Sequence, residues 1–235
     1  MQGEPDTTHH DSSYDDREFI RRLVNEGEHR GAIGGFWDEV GELQFTYLKS
    51  HGLKTSDQLL DIGCGSLRGG VHFTRYLDAG CYWGIDANRP LLDAGYHIEI
   101  PKYGLQDKIA RGQLICDSEF NFAKFGRQFD VAIAQSLFSH LSAGRIRQCL
   151  ENLSAAMRPG GRLFATLFRI PETDDPALEF AHPQGVVTHH DRDPFHYRPS
   201  DFLSLLDGLP WRLVSMEEWD HPRDQVMAIV ERIPG

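Results

Sequence analysis

Residues 59–70 read L-L-D-I-G-C-G-S-L-R-G-G. A short apolar run ends at an acid, Asp61, and breaks into glycines at 63 and 65. The run predicts a buried strand, and the glycines predict a turn tight enough to bring backbone N–H groups to a bound anion or nucleotide. A G-x-G alone is weak, because any tight strand-to-helix turn uses the same residues. Its surroundings decide which ligand the turn serves.

Downstream, strands and helices alternate. Gln58–Ile62, Cys81–Asp86, Gln113–Cys116, Phe129–Ala134 and Arg162–Phe168 read as strands. They are continuous apolar runs, as expected for parallel strands covered on both faces. Leu67–Leu77, Pro90–Ile98 and Arg145–Met157 read as helices, the last ended by Pro159-Gly160-Gly161. Pro199–Leu206 is a further helix, and Trp211–Met216 and Val226–Arg232 form a closing antiparallel pair. The pattern predicts an α/β fold: a Rossmann-like doubly wound sheet, mostly parallel, with a C-terminal antiparallel hairpin and helices on both faces. Residues 57–235 form this core, and the long connection at about 169–198 breaks its rhythm. That connection carries Phe180, Phe195 and Tyr197 among Pro, His and Asp, which predicts an ordered lid.

Upstream, residues 15–56 read as a helical cap. Phe36–His51 has Val40, Leu43, Tyr47 and Leu48 at helical spacing, behind a Gly34-Gly35 hinge. Residues 1–14 offer nothing to bury and are expected to be disordered.

The net charge of −11 argues against a nucleic-acid groove, which depends on clustered Lys and Arg. No stretch approaches the ~20 apolar residues that span a bilayer, and the polar, acidic N-terminus is not a signal peptide. Four scattered cysteines without a C-x-x-C pair suit buried hydrophobes in a reducing compartment. A soluble cytoplasmic protein is expected, with no membrane and no nucleic-acid partner.

Asp86 ends the second strand about twenty residues after the glycines, where an acid grips ribose hydroxyls in dinucleotide and other nucleotide folds alike. Three features discriminate. Asp61 would repel a pyrophosphate but suits a ligand carrying an ammonium and a sulfonium. The third glycine of a G-x-G-x-x-G fingerprint is replaced by Arg68. Asp117 closes the third strand, placed to accept a hydrogen bond from an adenine amino group.

L-L-D-I-G-C-G, Y-W-G-I-D, C-D-S, F-D-V-A-I-A-Q-S-L-F-S-H-L and M-R-P-G-G-R-L-F-A-T together resemble the ordered motifs of the class I S-adenosylmethionine-dependent methyltransferases. The resemblance covers roughly residues 57–168 and implies S-adenosylmethionine as methyl donor, with S-adenosylhomocysteine as product. It implies that Asp61 approaches the methionine ammonium and that Gly63, Cys64 and Gly65 bring backbone close to the donor. Asp86 would hold the ribose hydroxyls, Asp117 and Ser118 would read the adenine edge, and Gln135 would face the methionine moiety. Arg68 would pair with the donor's carboxylate or bridge to an acid such as Asp61. Some relatives hold a divalent metal with E-x-x-E-H in this region. Ser136 and Ser139 stand where those carboxylates would be, so no metal is expected.

A hydroxyl acceptor needs a base, which directs attention to histidines. Three are candidates: His140 after the fourth strand, His196 in the lid and His221 in the terminal turn. Trp37, His190, Tyr197 and Arg223 are candidates for contacting the acceptor. The expected activity is methyl transfer to a hydroxyl of a small metabolite, sugar or natural product. N-methylation of a small amine and non-catalytic binding of the donor are the alternatives, and a homodimer is compatible with any of them.

Overall fold

The computed structural model describes residues 17–234, so the expected N-terminal tail lies outside the described residues. Strand β1 (Leu59–Ile62) is buried along its whole length. It lies between β2 (Tyr82–Asp86) and β4 (Phe129–Ala134), parallel to both, with Leu59 opposite Tyr82 on one side and Val131 on the other. β3 (Leu114–Cys116) flanks β2, and β5 (Met157–Arg169) flanks β4. β9 (Trp211–Glu217) and β10 (Gln225–Arg232) complete the order β3-β2-β1-β4-β5-β10-β9. β10 is antiparallel to both β5 and β9, so β9 runs with the core strands and the turn after it returns to their carboxyl ends. Chain direction through the sheet reverses between β1 and β4, which opens a crevice at the tips of those strands.

The turn after β1 is longer than its sequence suggests. The helix expected from Leu67 begins only at Gly70, as α3 (Gly70–Tyr76). Gly63, Gly65 and Leu67 all have positive φ, which no α-helix accepts. The N–H groups of Gly63 and Cys64 both donate to Ile85 O, so the chain wraps the tip of β2 before the helix can start.

A second departure lies opposite. The expected helix over Pro90–Ile98 is α4 (Arg89–Ala94), running into a π-helical turn (Gly95–Glu99) and then α5 (Ile100–Lys102). A Cβ at Gly95 would sit 2.6 Å from Leu67 Cγ, so only glycine lets this helix approach the turn. The widened turn also aims Glu99 inward. Its buried carboxylate accepts from His29 Nε2 at 2.6 Å and from Arg30 Nε and Nη2 at 2.8 and 2.6 Å. These contacts bolt the cap, α1 (Arg17–Asn25) and α2 (Trp37–Ser50), to the core. Breaking such a buried pair from one side costs roughly 3–5 kcal/mol.

α6 (Ala143–Ala156) packs Ile146, Cys149, Leu150 and Leu153 against the sheet at helical spacing. Pro159-Gly160-Gly161 does not precede β5 but forms a bulge within it, where the register with β4 shifts. The long connection is folded: β6 (Phe180–Ala181) and β7 (Val187–Thr188) make a hairpin, and β8 (His196–Tyr197) pairs in parallel with β5 beyond the end of β4. α7 (Pro199–Ser204) follows it.

Candidate active site

A cavity of about 570 Å³ opens at the carboxyl ends of β1 to β4. Three strand-tip acids line it: Asp61, Asp86 and Asp117. Asp61 is 4% exposed, and its Oδ2 accepts from the buried Tyr82 hydroxyl at 2.8 Å. Burial pushes its pKa up to about 7; Asp86 adds to this, while the Tyr82 hydroxyl and the charge of Arg68 oppose it. A carboxylate this reluctant to ionise alone is matched to a cationic ligand group.

Asp86 straps the glycine turn to β2. Gly65 N donates to its Oδ2 at 2.8 Å and Asn88 N to its Oδ1 at 2.7 Å. Burial raises its pKa, and those two backbone N–H groups restrain the rise. Asp117 stays below the ordinary carboxylate range despite burial, because Lys124 and the N–H groups of Glu119 and Asn121 hold its charge. Gly63 and Gly65 have φ of +72° and +52°. A Cβ at Gly65 would meet Ile33 Cγ2 at 2.8 Å, so the turn also needs glycine to fit beneath the cap. Cys64 lines the cavity between them, its thiol pushed well up in pKa by burial. Ser118 follows Asp117 in the wall, and Gln135 stands at the tip of β4.

Arg68 lines the cavity and reaches across it to the cap. It donates through Nη1 to Ile33 O and Gly35 O, at 3.3 and 2.6 Å, and through Nη2 to Gln135 Oε1. Arg223 Nη2 donates to Gly34 O at 3.0 Å. Two guanidinium groups from separate elements thus hold three successive carbonyls of the cap loop.

The histidines separate clearly. His140 is in the cavity wall, with Nδ1 2.5 Å from Asp193 Oδ1. His221 is buried behind Gln135, its Nε2 3.4 Å from Gln135 Nε2, and stacks on Trp219. Burial, Arg68 and Arg223 push its pKa down to about 3, which makes it a poor proton acceptor. His196 is 1% exposed, with Nδ1 3.0 Å from Thr188 Oγ1 and Nε2 3.0 Å from Pro176 O. Both its nitrogens serve the lid hairpin, away from the cavity.

A family model described as a methyltransferase domain matches residues 60–163, the stretch that builds this crevice. Over residues 60–163 the chain carries a methyltransferase domain. Solved structures share the fold over nearly the whole chain. The magnesium protoporphyrin IX methyltransferase of Synechocystis PCC 6803, with bound S-adenosylmethionine, has a TM-score of 0.62 at 13% identity, covering 93% of this chain and 97% of that one. DhpI in complex with S-adenosylhomocysteine gives 0.63 at 17%, covering 93% and 96%. The [4+2]-cyclase SpnF gives 0.65 at 13%, covering 95% and 97%. At these identities the likeness concerns the fold, and the methyltransferase's chemistry has to be argued from its own side chains.

None of the four candidate acceptor contacts lines the cavity. Trp37 packs under the cap, donating from Nε1 to Tyr103 Oη at 3.2 Å beneath the Arg30 guanidinium. His190 is exposed on the lid. Tyr197 is buried and donates its hydroxyl to Leu141 O at 2.6 Å. Arg223 clamps the cap loop and stacks over Phe36. Among the described residues, no group of three or more His, Cys, Asp or Glu side chains is gathered to hold a metal.

Two wall contributors were hard to read from sequence. Gln44 of α2 is 2% exposed and lies over Gly69, where a Cβ would meet its amide at 2.5 Å. Its place on the buried face of an amphipathic helix was the available signal. Ile33 reaches the cavity from the cap loop, and nothing local to its sequence marks it.

Proposed function

We propose that this methyltransferase methylates a hydroxyl group of a small molecule, with His140 as the base. S-adenosylmethionine, when bound, supplies a methyl on a sulfonium, which passes to the acceptor oxygen while the carbon–sulfur electron pair stays on sulfur. The wall chemistry fits this donor. Acids at three strand tips suit an ammonium, a pair of ribose hydroxyls and an adenine amino group, and they would repel a pyrophosphate. In this reading Asp61 takes the ammonium, Asp86 the ribose, Asp117 and Ser118 the adenine edge, and the Gly63–Gly65 backbone passes close to the donor. Gln135, held by Arg68, faces the reacting end.

The observation that carries the choice of a hydroxyl is His140, the one histidine in the cavity wall among the described residues. It removes the acceptor's proton and passes it to solvent, a contribution worth roughly 10²–10⁴ in rate. A cavity of about 570 Å³, shared with the donor, leaves room for a small acceptor. A net charge of −11 disfavours nucleic acid.

The test is a turnover screen, reading S-adenosylhomocysteine release against pools of phenols, sugars, hydroxy acids and amines. Hydroxyl acceptors should turn over, and His140→Ala should lower kcat by about 10²-fold or more. Turnover confined to amines, or a His140→Ala variant within a few fold of the parent, would overturn the reading. Tight S-adenosylhomocysteine binding without turnover of any acceptor would favour a non-catalytic binding protein.

A further inference from the structure

The lid's contribution to this site is a carboxylate. We infer that Asp193 is a positioning residue, which fixes the His140 ring in the tautomer that turns its basic nitrogen toward the cavity.

The geometry that supports this is a strap across the turn after β4. In the segment from Asp193 to Tyr197, every second residue reaches the turn after β4, and the three reach consecutive residues. Asp193 Oδ1 pairs with His140 Nδ1 at 2.5 Å, Phe195 N donates to Ser139 O at 2.7 Å, and the Tyr197 hydroxyl donates to Leu141 O at 2.6 Å. One short segment thus grips residues 139–141 through two side chains and one backbone N–H. His196, between two of these residues, is spent on Thr188 of the lid hairpin and on Pro176 before it. The segment is itself anchored: His196 and Tyr197 pair with β5, and His189 N donates to Pro194 O at 2.8 Å.

The chemistry follows from the ring. A neutral imidazole carries one N–H, and a carboxylate at Nδ1 demands that the proton sit there, which leaves the lone pair on Nε2. His140 lines the cavity, and Asp193, at 14% side-chain exposure, is shielded enough to hold the ring in a single orientation. An imidazole without such a partner favours the opposite tautomer, with the proton on the nitrogen that must act as base. The carboxylate also stabilises the imidazolium formed when His140 accepts the acceptor's proton, and Asp193 itself exchanges no proton. The lid is thereby part of the chemistry even though its histidines are not.

The inference rests on His140 as the base, and its test does not need the acceptor. The ¹⁵N shifts of the His140 ring in the full chain, assigned by difference with His140→Ala, report the tautomer directly. The expected result is an Nδ1–H ring in the native protein, a predominantly Nε2–H ring in Asp193→Ala, and recovery of the Nδ1–H form in Asp193→Glu. A native Nε2–H ring, or an unchanged ring in Asp193→Ala, overturns the inference. With the acceptor from the screen in hand, Asp193→Ala should lower kcat by ~10²–10⁴-fold with KM within a few fold. A merely structural role would instead lower the melting temperature and leave tautomer and kcat alone. If His140→Ala abolishes turnover while Asp193→Ala keeps both rate and tautomer, only the role of Asp193 falls. If His140→Ala keeps its rate, the base assignment falls first.

Discussion

The two sides of the cavity are built by different rules. The proposed donor side is made of strand tips and the turns that follow them: Asp61 near the end of β1, Asp86 at the end of β2, Asp117 just after β3 and Gln135 just after β4. Each side chain is placed by a strand whose register is fixed by its neighbours, on both edges for β1, β2 and β4 and on one edge for β3, and each lies within a residue of a recognisable apolar run. On the reading proposed above, the acceptor side is marked by His140, which is held from behind by a connection of some thirty residues that returns to the sheet only at β8. There the useful side chain, Asp193, is delivered by a cross-strap to residues 139–141 and not by the sheet. A frame that many ligands could share is thus separated from the element that holds the proposed base, and the two should respond differently to mutation.

The largest expected effect is on the donor side. Asp86→Ala removes the acceptor for two backbone N–H groups, those of Gly65 and Asn88, together with the expected ribose contact. S-adenosylhomocysteine affinity should fall at least ~100-fold, roughly 3 kcal/mol, because the turn loses its strap as well as a ligand contact. Isothermal titration calorimetry measures this, and a loss below about threefold would show that the strand tips are not the donor side.

Asp61 tests the electrostatics of the same side. Its pKa in the fold is near 7 against an ordinary 3.8, so the folded state binds the proton more tightly than the unfolded state does. The sign follows: below the ordinary value the group contributes nothing adverse, and between there and about pH 7 its ionisation steadily costs the unliganded protein stability. Asp61→Asn should therefore stabilise the unliganded protein at pH 7.5 by on the order of 1–2 kcal/mol, and that advantage should shrink toward pH 4. The same variant should bind S-adenosylhomocysteine ~10–50-fold more weakly, since a charged hydrogen bond to the ammonium is lost. Native affinity should rise with pH up to about 7 and then level as Asp61 ionises unaided. Thermal melts and titrations across pH 5–8 with both proteins check all three. Equal pH profiles for the two would mean that another group governs the donor site.

What was legible in the sequence follows the same division. Strand tips can be read because an apolar run followed by an acid and glycines has few other meanings. The motif order therefore gave the sheet, and the strand-tip acids all line the cavity. The π-turn at Gly95 and the late start of α3 were not readable, because both depend on Leu67 packing against a helix remote in sequence. Arg68 was ambiguous for a similar reason: its partners are cap carbonyls, which carry no side-chain signature. In the lid, residue types suggested His196, but the path of the chain decides which residues reach residues 139–141. Asp193, Phe195 and Tyr197 do, while the His196 ring turns to Thr188 and Pro176. That path is set by the pairing of His196 and Tyr197 with β5, which a long polar connection does not announce.

The smallest effect should come from the residue whose type most suggested catalysis. His196→Ala deletes two buried hydrogen bonds, to Thr188 Oγ1 and to Pro176 O, and an edge contact with Phe180. The cost should fall on the lid hairpin, about 1–3 kcal/mol of local stability, visible as faster amide exchange over residues 176–188. Turnover should stay within about threefold of the parent, because the His140–Asp193 pair makes no contact through the His196 ring. Exchange and turnover therefore separate the two sets of contacts made by one short segment. A His196→Ala protein as inactive as His140→Ala, with its exchange pattern unchanged, would mean that the hairpin face takes part in the chemistry. The contrast between a scaffold that holds the donor and a lid that contributes one carboxylate would then fail.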